Sequence, residues 1–236
     1  MDVNQIRTGI DGLDSLLQGG FLEGSSVVLV GPVGTLKSHL GFQFLYEGLR
    51  NGERCFCLST NLDLETLRLQ LRLNFGWDLK PYVDRRMLSF LYYAPDAIQF
   101  LLPTGSITEL TSTEAVRELY YRIEDDVTRM LIHTISQMFT IIGNERLVLS
   151  LVYRLRTRAK KNRGVVLYIL DKDIQSRSTE ENVKSICDYV IETREREGTV
   201  ELRVAKSLTR HTLDWHKLYM TDEGLKLELK KTNPPS

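Results

Sequence analysis

Apolar residues along this chain follow two rhythms. Short apolar runs at Ser26-Val-Val-Leu-Val30, Cys55-Phe-Cys-Leu-Ser59, Met87-Leu-Ser-Phe-Leu-Tyr-Tyr93, Arg129-Met-Leu-Ile-His-Thr-Ile-Ser136 and Val165-Val-Leu-Tyr-Ile-Leu170 have the length of buried strands. Between them the apolar positions recur at helical spacing: Leu40, Phe44, Leu45 and Leu49, then Leu67, Leu71 and Phe75. The pattern predicts helices over 39–50, 64–75, 113–126 and 144–162, alternating with the strands. That alternation predicts a mostly parallel sheet covered by helices on both faces. The later runs Val190–Thr193, Val200–Ala205 and Leu225–Leu229 come without helices between them, which predicts antiparallel strands added at one edge.

Local signals set the expected boundaries. Asp11, Asp63 and Thr113 are placed to cap helices, and Gly164 to close the long one. A short helix bounded by glycine turns is expected within residues 7–25, with Leu13, Leu16 and Leu17 on one face. Residues 94–112 carry Pro95, Pro103 and Gly105 and read as an irregular loop. Residues 230–236 read as a frayed tail. Neither a repeat nor a domain linker interrupts the pattern, so residues 1–236 are expected to form one α/β domain.

Composition narrows the classes. Lys+Arg 31 balances Asp+Glu 31, so no global field draws nucleic acid or membrane. No apolar run approaches a membrane span, and the start lacks the basic and apolar regions of a secretory signal. Three cysteines make no disulfide framework. Cys55 and Cys57 alternate on an expected strand and read as small buried hydrophobes rather than metal ligands. A reducing cytoplasm is the expected compartment.

Chemistry concentrates at Gly31-Pro-Val-Gly-Thr-Leu-Lys-Ser38, between an expected strand and an expected helix. Strand, glycine-bearing turn, Lys-Ser and helix form the setting of a P-loop, in which backbone N–H groups and the helix N-terminus favour phosphate. Gly31, Gly34, Thr35, Leu36, Lys37 and Ser38 are the candidate nucleotide-binding residues. Lys37 would reach the outer phosphates, and the Ser38 hydroxyl would bind Mg²⁺ only if nucleotide is bound. One position departs from the pattern: Leu36 stands where glycine is expected, and a leucine resists the left-handed backbone that glycine adopts freely.

Arg7-Thr-Gly-Ile-Asp-Gly-Leu-Asp-Ser-Leu-Leu-Gln-Gly-Gly20, leading directly into the strand and P-loop, resembles the opening of KaiC-like proteins of the RecA/RadA superfamily. Phe75-Gly-Trp-Asp78 and Thr221-Asp-Glu-Gly224 are similar to later motifs of the same group. The resemblance spans nearly the whole chain. It implies a RecA-type P-loop NTPase core, ATP with Mg²⁺ held between adjacent subunits, and homo-oligomers that are often hexameric rings.

Laid over that family pattern, the site is depleted. The glutamate pair that activates water falls on Thr60 and Asn61, neither of which accepts a proton as a carboxylate does. The Mg²⁺-binding Asp-Ser falls on His133-Thr134, and imidazole is a poor substitute for a hard oxygen ligand. His133 reads as a buried, hydrogen-bonded histidine. The Ser-Gln that senses the γ-phosphate falls on Leu170-Asp171, where an anion repels phosphate. Of the inter-subunit Lys-x-Arg, Lys206 matches, Leu208 replaces the arginine, and Arg210 lies two residues beyond. With these positions changed, no catalytic residue is assigned, and the chain is expected to be hydrolysis-deficient and to bind ATP weakly or not at all. It would act through oligomerisation, alone or in a hetero-assembly with an active relative. Two alternatives stay open. One is a slow ATPase in which Asp63, Glu65 or Asp171 replaces a lost carboxylate. The other is a nucleic-acid-binding recombination accessory using the basic run Arg154–Arg163, a reading that lacks interleaved aromatics.

Overall fold

The structure, a computed structural model, describes residues 4–93, 120–121 and 123–230. In chain order the elements are β1 (Gln5–Ile6), α1 (Asp11–Leu16), β2 (Phe21–Leu22), β3 (Ser25–Gly31), α2 (Lys37–Arg50), β4 (Arg54–Ser59), α3 (Leu64–Phe75), α4 (Lys80–Asp84) and β5 (Leu88–Tyr92). Then follow β6 (Val127–His133), α5 (Ile135–Ile142), α6 (Glu145–Asn162), β7 (Val165–Asp171), α7 (Arg177–Ile186), β8 (Tyr189–Arg196), β9 (Thr199–Lys206), β10 (His216–Thr221) and β11 (Gly224–Glu228).

Among the described residues, nine strands form one sheet in the order β11-β10-β9-β8-β3-β7-β6-β4-β5, and β1 pairs with β2 separately. From β8 to β5 every pairing is parallel. From β8 to β11 every pairing is antiparallel. β3 lies inside the sheet and is buried at every position, as its continuous apolar run requires.

Successive residues of each strand feed opposite faces. Val27 and Leu29 join Cys57, Leu131 and Ile169 beneath α1, α2 and α3. Val28 and Val30 join Phe56, Ile132 and Tyr168 beneath α5, α6 and α7. Both cysteines expected to act as buried hydrophobes do so, and Cys187 is buried as well. At the far edge β11 is only five residues long, and Lys226 and Glu228 are exposed on it.

The family-like motifs have local physical roles. Phe75-Gly-Trp ends α3: Gly76 takes a left-handed conformation at φ 68°, and Trp77 turns in to stack on Tyr46 at 4.5 Å. Gln43 of α2 binds the N-terminal signature to the C-terminal turn. Its Nε2 donates to Gly9 O at 2.6 Å, and its Oε1 accepts from Leu225 N at 2.6 Å. A Cβ on Gly224 would stand 2.8 Å from that amide oxygen, so the turn needs glycine there.

Several expectations are corrected. The strand predicted to run to Ser136 stops at His133, because the Thr134 hydroxyl accepts from Gln137 N and starts α5. Ile135, Met138 and Ile142 already carried a helical period, hidden inside a longer apolar run. α7 and β10 were not predicted; α7 buries only Val183 and Ile186 among large apolar residues, too few to show periodicity. Asp11 does not cap α1. The capping position is Ile10, without a side-chain bond, and Asp11 instead accepts from Arg7 Nη2 at 2.8 Å. Arg163, not Gly164, takes the left-handed closing position of α6. Asp63 caps α3 through Thr66 N at 2.8 Å, as expected. The predicted loop 94–112 and most of the predicted helix 113–126, with its Thr113 cap, lie outside the described residues.

Candidate functional site

β3, a tight loop and α2 place Gly31–Ser38 at the C-terminal end of the parallel strands, where an open α/β sheet binds ligands. Leu36 occupies the loop's tightest position at φ 64°, ψ 10°, in the left-handed region. Its side chain packs against the core cluster beneath α2, while the loop keeps the turn that a glycine would make. The loop is held from the side by Thr193 on β8. Thr193 Oγ1 lies 2.7 Å from Thr35 Oγ1, and Thr35 Oγ1 donates to Pro32 O at 2.7 Å. A Cβ on Gly31 would stand 2.1 Å from Thr193 Oγ1, so only glycine fits against that strand.

Lys37 does not reach outward. Its Nζ donates to Pro32 O at 2.5 Å and pairs with Asp171 Oδ1 at 3.1 Å, leaving the side chain 4% exposed. Asp171 is the last residue of β7 and lies directly beside Gly31 in the parallel register. Burial lowers the Lys37 ammonium below its usual range, and Asp171 opposes that shift.

Ser38 turns to the neighbouring strand end. His133 Nε2 lies 2.8 Å from Ser38 Oγ, and Nδ1 lies 3.4 Å from Ser59 Oγ. Burial, with the nearby His39 and Lys37 adding to it, brings the His133 imidazole down to about 4, so it is neutral at pH 7. Thr60 is 5% exposed and its Oγ1 accepts from Thr134 N at 3.0 Å, a structural bond between strand ends. Asn61 is exposed.

The remaining candidates have local partners. Asp63 is engaged as a cap, and Glu65 pairs with Arg68 at 2.6 Å on the exposed face of α3. Lys206 donates to Cys187 O at 2.6 Å, closing the C-terminal end of α7 rather than extending into solvent. Arg210 has an exposed side chain, while its carbonyl accepts from Gln18 at 2.9 Å. The basic run is largely consumed within the chain. Arg156 pairs with Asp188 at 2.6 Å, Arg158 with Asp125 at 2.8 Å, and Arg163 with Glu23 at 2.8 Å. Thr193, Ser59 and Gln43 were not singled out by sequence reasoning, because their roles arise from contacts between segments distant in the chain.

The donor set decides how far this site suits ATP and Mg²⁺. Backbone N–H groups at the start of α2, behind a loop of P-loop shape, suit a phosphate. The metal position does not suit Mg²⁺, which takes carboxylate, phosphate and water oxygens. There the Ser38 hydroxyl faces a neutral imidazole. The nearest acid introduced by the neighbouring strand, Asp171, is bound to Lys37.

A parallel sheet with β7 between the P-loop strand and β6, extended by antiparallel strands, defines an α/β RecA-type P-loop ATPase core. Comparison with known proteins agrees. A family profile described as "ATPase: KaiC" matches residues 6–231, and the chain belongs to that family. A UPF0273 protein of Pyrobaculum aerophilum is 32% identical over 168 residues, covering 71% of this chain and 55% of that protein. Circadian clock oscillator protein KaiC 1 of Synechocystis is 25% identical over 238 residues, covering 95% of this chain and 44% of that protein. A KaiC-like protein of Pyrococcus horikoshii has the same fold, with TM-score 0.76 at 22% identity over 96% of this chain and all of that one. The chain thus spans about half the length of these two curated relatives.

Proposed function

We propose that this chain is a KaiC-family domain that has lost ATP hydrolysis, binds Mg²⁺–ATP weakly or not at all, and acts through assembly. The observation that carries the reading is the 2.8 Å contact between His133 Nε2 and Ser38 Oγ. It puts a neutral hydrogen-bond partner where phosphoryl transfer needs a carboxylate to hold the metal. Thr60 and Asn61 provide no general base, and Asp63 and Glu65 are committed to α3. Losing base and metal carboxylate together removes much of the positioning and charge stabilisation of the transition state.

Assembly remains the activity such a domain can perform. The loop after β9 exposes Leu208 and Leu213 at 54% and 60%, and exposes the Arg210 side chain beside them. In a homo-oligomeric ring, or in a hetero-assembly with an active relative, Arg210 is the cation available to a neighbouring site, because Lys206 is tied to its own α7. We assign the domain to the cytoplasm and favour other protein chains over nucleic acid as its partners, because most of the basic run Arg154–Arg163 is paired within the chain.

Calorimetric titration with ATP and Mg²⁺, a phosphate-release assay, and light scattering after size exclusion test the three parts. The expected results are weak or absent binding, no release above background, and a mass above that of one chain. Phosphate release that disappears in Lys37→Ala would defeat the reading, as would a monomer at all concentrations for its last part.

A further inference from the structure

The two departures around the loop act on different parts of a phosphate chain. A P-loop lysine reaches the outer phosphates of a bound nucleotide. Here the Lys37 ammonium is drawn to Asp171 Oδ1 at 3.1 Å and Pro32 O at 2.5 Å, so the Asp171 carboxylate stands at the outer end of the cradle. The pair is well enclosed: Lys37 is 4% and Asp171 15% exposed. A position shielded from water in that way strengthens repulsion between a carboxylate and an incoming phosphate. Among the described residues, the inner cradle carries no such acid. Thr35 is held by Thr193, Gly34 has open space around it, and Leu36 packs toward the core.

We infer that Asp171 is the specificity-determining residue of this site, admitting short phosphate chains such as a nucleoside diphosphate and excluding triphosphates, without a divalent cation. The inference rests on the reading of Gly31–Ser38 as a nucleotide-derived site, and it goes further by naming the ligand class and the residue that selects it. A diphosphate lies against the backbone of the loop and the start of α2. A third phosphate meets the Asp171 carboxylate before it meets the Lys37 ammonium. With Ser38 bonded to His133, no Mg²⁺ enters to neutralise the added charge.

The backbone at this strand end is held independently of the carboxylate. Asp171 is also bonded through its backbone, with its N–H donating to Ser136 Oγ at 2.7 Å and its carbonyl accepting from Gln175 at 3.2 Å. Neither bond involves the carboxylate, so replacing the side chain leaves both in place.

The test is competitive titration of the full chain with ADP and ATP, each in EDTA and in excess Mg²⁺. Wild type is compared with Asp171→Ser and with the isosteric Asp171→Asn, each variant checked by circular dichroism for a retained fold, because both leave the buried Lys37 ammonium without its carboxylate. Wild type should bind ADP at least tenfold more tightly than ATP, with less than a threefold effect of Mg²⁺. Asp171→Ser or Asp171→Asn should raise ATP affinity at least tenfold and change ADP affinity less than threefold. Retained discrimination in both variants, a wild-type preference for ATP, or no nucleotide binding by any of the three proteins would overturn the inference. Those results leave the hydrolysis-deficient reading standing. That reading fails on a different readout, Lys37-dependent phosphate release by wild type.

Discussion

His133 Nε2 stands 2.8 Å from Ser38 Oγ, so the two positions that would share a metal share a hydrogen bond instead. The imidazole is 1% exposed and brought down to about 4, which ties the site to the acid stability of the fold. An unfolded histidine takes its proton near pH 6.5, whereas this one in the folded state stays neutral until about 4. Between those values the unfolded chain binds more protons, so stability falls as pH drops through that window and is unaffected above it.

The loss over the whole window is about 3 kcal/mol for this group. Burial shifts His39 in the same direction and adds to it. Urea unfolding at pH 7 and pH 4.5 should show a steep fall for wild type and a shallower one for His133→Gln. Equal slopes for the two proteins would show that His133 takes its proton as readily in the folded state.

Leu36 is a test of backbone strain against packing. A leucine in the left-handed region costs about 1–2 kcal/mol, and glycine removes that cost. The same change deletes a side chain that packs on the core beneath α2. The two effects nearly cancel, so Leu36→Gly should alter stability by about 1 kcal/mol or less in either direction. Leu40, one turn along and 1% exposed, has no strain to release, and Leu40→Ala should cost about 2–5 kcal/mol. Thermal unfolding of both variants separates the cases.

Gln43→Leu should destabilise the protein by roughly 2–3 kcal/mol, because Gly9 O and Leu225 N each lose a buried partner. Gln43→Glu keeps the acceptor for Leu225 but loses the donor to Gly9, and its effect should also be a loss. Denaturant unfolding measures both. A change below about 0.5 kcal/mol in Gln43→Leu would mean that water replaces the amide at no cost.

Magnesium and ATP together should raise the melting temperature by less than about 2 °C at millimolar concentrations, because ligand stabilisation grows only with the ratio of concentration to dissociation constant. Chelator alone should leave the melting temperature unchanged, as no group of metal-ligating side chains gathers among the described residues.

Much of the fold was legible because the strands β3 to β7 are short, largely apolar runs and most helices keep a 3.6-residue period. Asp63 announces its helix through a cap that forms as expected, and Asn144, at the expected start of the long helix, caps it as well. What escaped detection follows from the same physics. α5 lies inside an apolar stretch long enough to pass as strand, and α7 buries too few large apolar side chains to show a face. At the site, the replacements at Thr60, Asn61, His133 and Asp171 could be read by position alone. That Lys37 turns toward Asp171, and Ser38 toward His133, could not, because those pairings cross from α2 to strands more than ninety residues away. Asp11 shows the limit of local signals, since Arg7 competes for the carboxylate that would otherwise cap α1.

The β11 edge bears on how copies of this domain can meet. Five residues long and carrying exposed Lys226 and Glu228, it offers a short, charged border to any strand seeking to extend the sheet. At this border, extension of the sheet from one chain to another is disfavoured, and any contact made here falls to side chains rather than to backbone pairing. The assembly we propose, with copies of this chain or with a working relative, would then need no strand exchanged across β11.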